Sequence, residues 1–207
     1  IFFIHTTNHA TSPPYIITMN QILSLVLICL SVLFSHRSDA STGVSSLQRP
    51  HSHAGKLRPF NPTEALITQL DTSALQILGT GKPYKTFLSM DSKRVIVVQD
   101  VYASPDIVLD RILDYGNYSK MAPQTLESEV YRRTPFDGSS ETLWSRLRAG
   151  MHGFSMQFFV KATFHHAHNS ITWTLDYTKE SDIDDACGHW HVEPHPDSPG
   201  KMSRVYY

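Results

Sequence analysis

Two cysteines in 207 residues are too few to staple a fold. Cys29 sits in an apolar run that reads as removable, which leaves Cys187 alone, so stability has to come from packing. Cys187 itself reads as a small buried or half-buried residue, with a thiol nucleophile as the alternative. An excess of charge of one sign is also lacking: Lys and Arg total 18 against 19 Asp and Glu, for a net charge of −1. A protein that grips a nucleic-acid backbone carries a basic excess, so no nucleic-acid partner is expected. Long apolar runs are missing too. The longest, Ile22 to Phe34, falls short of the roughly 20 residues a spanning helix takes. What the chain does have is apolar side chains for a core: 41% hydrophobic and 11% aromatic against 18% charged. That balance argues against disorder throughout. The length fits one domain with appendages.

The first residue is Ile, and Ile1 to Thr18 reads as translated upstream sequence ahead of a start at Met19. From Met19 a short polar stretch leads into the apolar run and then to Ser38-Asp39-Ala40-Ser41. This is the layout of a secretory signal peptide over residues 19–40, cleaved after Ala40, although its first part has no Lys or Arg. An uncleaved anchor and spurious translation are the alternatives. Such a leader sends the chain along the secretory route, secreted or endomembrane. It also serves as the first half of a plastid-targeting leader in algae. On that route Asn117-Tyr118-Ser119 is an N-glycosylation acceptor, whereas Asn61-Pro62-Thr63 is disqualified by its proline.

Residues 41–61, rich in Ser, His and basic residues, read as a linker. Over 62–92 an N-terminal helix and a connector are expected. Pro62-Thr63-Glu64 opens the helix, Leu66, Ile67, Leu70, Leu75 and Leu78 recur at roughly helical spacing, and Gly79-Thr80-Gly81 stops it. A main domain over 93–207 then begins with a β-branched strand, Arg94 to Tyr102. Ser104-Pro105-Asp106 starts a helix with an N-cap residue, a proline at the first position and an acid in the first turn. Gly116 ends it, and a short second turn covers Tyr118 to Met121. From there the period becomes two. Leu126, Ser128 and Val130 share one face of a strand, and Phe136-Asp137-Gly138-Ser139 marks a hairpin. Leu143 to Met151 follows, then Phe154 to Phe164 and Ile171 to Tyr177, with two more strands at His189–Pro194 and Ser203–Tyr207. The class is α+β: a curved antiparallel sheet of about seven strands, with two short helices after the first.

The segment Val101-Tyr102-Ala103-Ser104-Pro105-Asp106-Ile107-Val108, followed by Asp114-Tyr115-Gly116-Asn117-Tyr118, resembles the opening of the START-like (SRPBCC, helix-grip) superfamily. Ile171 to Tyr177 (ITWTLDY) and Gly188 to Val192 (GHWHV) resemble strands of its polyketide cyclase/dehydrase and coenzyme Q-binding START-like branch. The resemblance covers Arg94 to Tyr207. It implies a deep apolar cavity closed by a long C-terminal helix. In this chain that helix would follow Tyr207, so the domain reads as cut short before it. Each large apolar side chain left facing water in its absence would cost about 1.5–3 kcal/mol.

The candidate cavity residues are Tyr115, Met156, Phe158, Val160, Phe164, Trp173, Leu175 and Tyr177, an aromatic and Met stripe that also fits an ordinary core. Asp114, Arg146 and Asp182 are rim candidates. Arg146 and Arg148 alternate about Leu147, so they either anchor an anionic head group or pair with Glu127 and Glu129. His189 and His191 share a strand face with Glu193, a spacing zinc accepts, and His165, His166 and His168 cluster near a turn. Exposed polar residues opposite Trp190 and Val192 are the plainer reading, and no metal site is expected. The acids of Ser181-Asp182-Ile183-Asp184-Asp185 suit calcium or proton chemistry in principle, but a solvated turn explains them as well. No cofactor is expected.

These residues point to binding, with transport or sequestration, of a hydrophobic small molecule such as a lipid, isoprenoid quinone or polyketide, with transient membrane contact on the way. The rival is a cyclase, aromatase or dehydratase using a cavity His or Asp on a polyketide-like substrate. The two clearest strands place neither residue type on their apolar face. A partner-binding module using the Pro62–Leu78 helix is the third reading. Nothing in the sequence sets an oligomeric state.

Overall fold

The computed structural model describes residues 51, 57–63, 70–87, 94–151 and 154–207. The expected upstream segment, signal peptide and most of the linker lie outside the described residues, as do positions 64–69 of the expected first helix. Within the described residues the part of that helix from Thr72 onward is helical. Pro62 and Thr63 form a turn, in which the Asn61 side-chain oxygen accepts the Thr63 N–H at 3.0 Å. Helix α1 is Thr72–Gly79, and Asp71 caps it: its carboxylate accepts the Ala74 N–H at 2.7 Å. At the other end Thr80 and Gly81 donate their N–H groups to Ile77 and Leu78 at 3.0 and 2.8 Å. Gly81 takes a φ of 75°, which glycine adopts without penalty.

One antiparallel sheet of eight strands follows. They are β1 (Tyr84–Phe87), β2 (Val95–Val101), β3 (Thr125–Arg133), β4 (Ser140–Met151), β5 (Phe154–His165), β6 (Ser170–Leu175), β7 (Cys187–Pro194) and β8 (Ser203–Tyr206). Their spatial order is β1-β2-β8-β7-β6-β5-β4-β3. The expected seven are all present, and β1 is the addition. Its four residues alternate half-buried and exposed, too short a run to stand out beside Pro83, and it forms only by pairing Lys85 with Val97 on β2. Strands β3 to β8 form a meander, and the last of them returns to the first strand of the main domain, with Val98 opposite Tyr206 and Val101 opposite Ser203.

Between β2 and β3 lie helix α2 (Pro105–Leu113), a single 3-10 turn (Tyr115–Asn117) and helix α3 (Tyr118–Met121). Ser104 has the extended backbone of an N-cap, but its side chain makes no capping bond, so Pro105 and Asp106 set the start. The helix stops at Leu113, short of Gly116, where Asp114 leaves helical geometry. Val108, Leu109 and Ile112 are buried. They recur three and four apart and so form one stripe against the sheet. Burying each is worth about 1.5–3 kcal/mol.

The ladder register sorts the sheet into two faces. The inner one, under α2, carries Val101, Val205, Val192, Trp190, Ile171, Trp173, Leu175, Phe158, Val160, Ala162, Phe164, Leu143 and Leu147 in one contiguous core. The outer face carries most of the ionisable groups and a second, smaller core of Leu78 from α1 with Ile96, Val98 and Tyr206. Irregular register at two places in β3, between Thr125 and Glu127 and between Val130 and Arg132, bends that edge of the sheet. The strand, two short helices and closing meander expected from the START-like resemblance are therefore all present. Among the described residues the longest helix is α2, of nine residues.

Candidate functional site: the inner face of the sheet

Period-two alternation puts Met156, Phe158, Val160, Ala162 and Phe164 of β5 on the inner face, and the β5–β6 register sets Leu175, Trp173 and Ile171 beside Val160, Ala162 and Phe164. All of these are buried except Met156, which is half-buried and packs against the rest. Trp173 lies opposite Gly188 on β7. A Cβ on Gly188 would come within 2.4 Å of the indole, so the glycine is what lets that ring lie flat across the strand. Trp190 packs its ring 4.2 Å from that of Tyr207. At the α2 end, Tyr115 and Tyr118 stack at 4.7 Å, and the Tyr118 hydroxyl donates to the Ile112 carbonyl. Burial raises both phenols well above the usual range, so they are neutral at any physiological pH.

Polar atoms on this face are few. Ser145, fully buried, donates its hydroxyl to the Glu129 carbonyl at 2.9 Å, and Ser203 donates to the Ala103 carbonyl at 2.7 Å. Gln99 is buried with its side-chain oxygen unpartnered. Among the described residues, the buried positions of this face hold no Asp, Glu, His, Lys or Arg.

The other candidates fall elsewhere. Arg146 is a correction. It pairs in register with Phe159, which places it on the outer face, where its guanidinium lies 3.2 Å from both Glu127 and Glu129. Alternation about Leu147 had allowed either placement, and only the register decides between them. Asp182 serves as a clasp: its carboxylate accepts the Gln157 N–H at 2.7 Å, and its own N–H donates to the Gln157 carbonyl at 2.8 Å. This continues the sheet along β5 past the end of β6, and Ile183 of the same loop enters the core. Asp185 accepts the Tyr177 hydroxyl and the Leu57 N–H, so the acids of this loop serve separate partners. Tyr177 sits half-buried at the edge of the core. Asp114 accepts the Asn117 side-chain N–H at 2.9 Å and lies 3.8 Å from Arg111. Asn117 is thereby tied into the 3-10 turn, next to the buried Tyr118.

The histidines depart from the sequence reading. His189 and His191 do lie on the outer face with Glu193, but His189 is only 3% exposed because Phe60 stacks on it at 5.8 Å. His191 pairs with Ser170 at 3.0 Å, and His165 with Thr172 at 3.0 Å. Among the described residues no cluster of three such ligands is placed to hold a metal. Sequence reasoning also missed His195. Its imidazole lies 3.1 Å from Asp100, whose other oxygen takes the Arg204 guanidinium at 2.7 Å. The Asp197 N–H donates to the other ring nitrogen at 3.2 Å. Those three residues meet only through the β2–β8 and β7–β8 pairings, so no local pattern announces them.

No protein-family model and no curated protein matches the chain. Several solved structures resemble it. The Zhui aromatase/cyclase from Streptomyces sp. R1128 is 15% identical, with a TM-score of 0.45, over 60% of this chain and 64% of that one. A START superfamily protein from Mycobacterium smegmatis is 19% identical, with a TM-score of 0.43, over 54% and 70%. A STAR-related lipid transfer protein from Xanthomonas axonopodis is 16% identical, with a TM-score of 0.40, over 57% and 70%. Likeness at this level carries neither ligand nor activity over to this chain.

Proposed function

We propose that this protein binds a hydrophobic small molecule, such as a lipid, an isoprenoid quinone or a polyketide, against the inner face of its sheet. One observation carries the reading: the separation of chemistry between the two faces. The inner face offers indole, phenyl and aliphatic surface with a handful of hydroxyl and amide groups, while the carboxylates, guanidinium groups and imidazoles lie at its margins or on the outer face. A surface of that kind recognises a ligand through the water it displaces, with one or two polar groups to orient it. Among the described residues its buried positions supply no group that exchanges a proton near neutral pH, because the buried phenols Tyr115 and Tyr118 stay protonated. Carrying or sequestering a ligand therefore fits better than converting one.

The ligand is best sought by native mass spectrometry of the protein purified from its own source, followed by denaturation to release what it holds. A stoichiometric apolar molecule is the expected result. Affinity should then climb along a homologous alkyl series by about fourfold per methylene, the equivalent of about 0.8 kcal/mol. A folded protein that emerges empty and ignores a panel of lipids and quinones would sink the proposal. Turnover of a polyketide-like substrate would hand the site to the cyclase reading.

The secretory route is part of the same proposal, supported by the run Ile22 to Phe34. Expression in a secreting host should yield a mature N-terminus at Ser41. An intact N-terminus on a protein kept inside the cell would refute it.

A further inference from the structure

The outer face holds a buried group that the binding reading does not use. His189 is 3% exposed, and neither of its ring nitrogens has a hydrogen-bond partner. A neutral imidazole carries one donor and one acceptor, so both are stranded. Phe60 covers the ring, stacked at 5.8 Å and 18° from parallel, and the Arg94 guanidinium lies over the Phe60 ring at 4.3 Å from its centroid. The segment Leu57–Phe60 thus crosses β7 as a strap. Polar contacts fasten it alongside: the Leu57 N–H donates to Asp185 at 2.8 Å, and the Arg58 carbonyl accepts the Cys187 thiol at 3.6 Å.

We propose that His189 is a proton-operated latch, holding the strap shut while neutral and releasing it when protonated. Among the described residues nothing hydrogen-bonds the ring to stabilise an imidazolium. On its own strand it neighbours Cys187 and His191, and across β6 it meets Thr172, with His165 beyond on β5. Arg94 and Arg58 come with the strap side. The carboxylates in reach are committed, Glu193 to the Tyr206 hydroxyl at 2.7 Å and Asp185 to Tyr177 and Leu57. A charge on His189 therefore needs water, and water enters only if Phe60 leaves.

Burial, then His191 and His165, push the His189 pKa down from 6.5 to about 4. Once the strap lifts, burial, the largest cause, is relieved and the ring's value rises toward the ordinary one. The shut state thus binds fewer protons than the open one. It is fully favoured above pH 6.5 and loses ground as pH falls from there to about 4. The open fraction should grow about tenfold per pH unit across that window, roughly 300-fold in all.

Hydrogen exchange of the full chain, corrected for intrinsic rates, tests this at the Leu57 amide against the amides of β5 and β6. Exchange at Leu57 should accelerate between pH 6.5 and 4 while the sheet amides hold. His189→Phe, which keeps the stack and cannot take a proton, should abolish the acceleration. Phe60→Ala should open the strap at every pH. The proposal is overturned if Leu57 exchange is flat with pH, if β5 and β6 accelerate with it, or if His189→Phe keeps the wild-type response. Should that variant fail to fold, the NMR titration of His189 in the unaltered protein decides: a midpoint near 6.5, uncoupled from the Leu57 amide shift, also overturns it.

Discussion

Gly188 shows how much rests on an absent side chain. Its hydrogen occupies the space under the Trp173 indole, and a methyl group there would meet three ring atoms at 2.4–2.5 Å. Gly188→Ala should cost about 1–3 kcal/mol by overpacking. Trp173→Leu should make the second change nearly free, and the coupling is read from urea unfolding of the two single variants and the pair. Asp100 poses the opposite problem, since removing it leaves a charge behind. Arg204 is 7% exposed, and its hydrogen bonds to Asp100 hold its pKa above the ordinary value. Asp100→Ala should therefore destabilise by about 3–5 kcal/mol, the scale for stranding one half of a buried pair. A loss below 1 kcal/mol in the same unfolding assay would mean that His195 or water takes over the guanidinium.

Among the elements, α1 has a single side-chain cap at its start, Asp71. Replacing Asp71 by Ala removes the acceptor for the Ala74 N–H and should cost about 1 kcal/mol, seen as faster amide exchange in α1 with β5 and β6 unchanged. Most strands of the meander were legible because they alternate for six residues or more, as β5 does from Phe154 to Phe164, while the four residues of β8 alternate no longer than β1 does. β1 was not legible, since four residues hold two cycles of alternation at most, and it exists because β2 offers an unpaired edge. For α1 the spacing of Leu75 and Leu78 and the stop at Gly79-Thr80-Gly81 were legible, whereas the capping role of Asp71 was not read. The aromatic stripe of the inner face could be read from spacing alone. His189 could not: its cover comes from Phe60, more than a hundred residues away. Arg146 failed for a related reason, since alternation says which residues share a face and leaves open which face that is.

Over the whole molecule, acid should act in two stages. The first is the strap. The second involves the fold itself, through Asp176, where burial works to raise the pKa but is outweighed by the Tyr131 hydroxyl and by both Thr178 donors, leaving it below the ordinary value. A carboxylate depressed in the folded state contributes stability above its unfolded pKa near 3.9 and loses that contribution as pH falls through the folded value. Tyr131→Phe should therefore lower stability at pH 7 and shrink the loss seen on acidification below pH 4, measured by urea midpoints across that range. Closure of the sheet is the other property of the whole. Deleting Ser203–Tyr207 would unpair β2 from the meander and strip Val205 from the main core and Tyr206 from the smaller one. A broad, non-cooperative unfolding curve is expected. A sharp one would mean that β2 finds β7 directly.

That same closure sets a schedule for biosynthesis. Val95 to Val101 leave the ribosome about a hundred residues before Ser203 to Tyr206, the strand they pair with. At 5–20 residues per second the interval is about 5–20 s. During it a run of β-branched side chains, Val95-Ile96-Val97-Val98, has only the four residues of β1 for company. Such a segment is a template for pairing with other chains. The nascent protein should therefore depend on holding chaperones until its last strand emerges, and its yield should fall more steeply with synthesis rate and temperature than its finished stability would suggest.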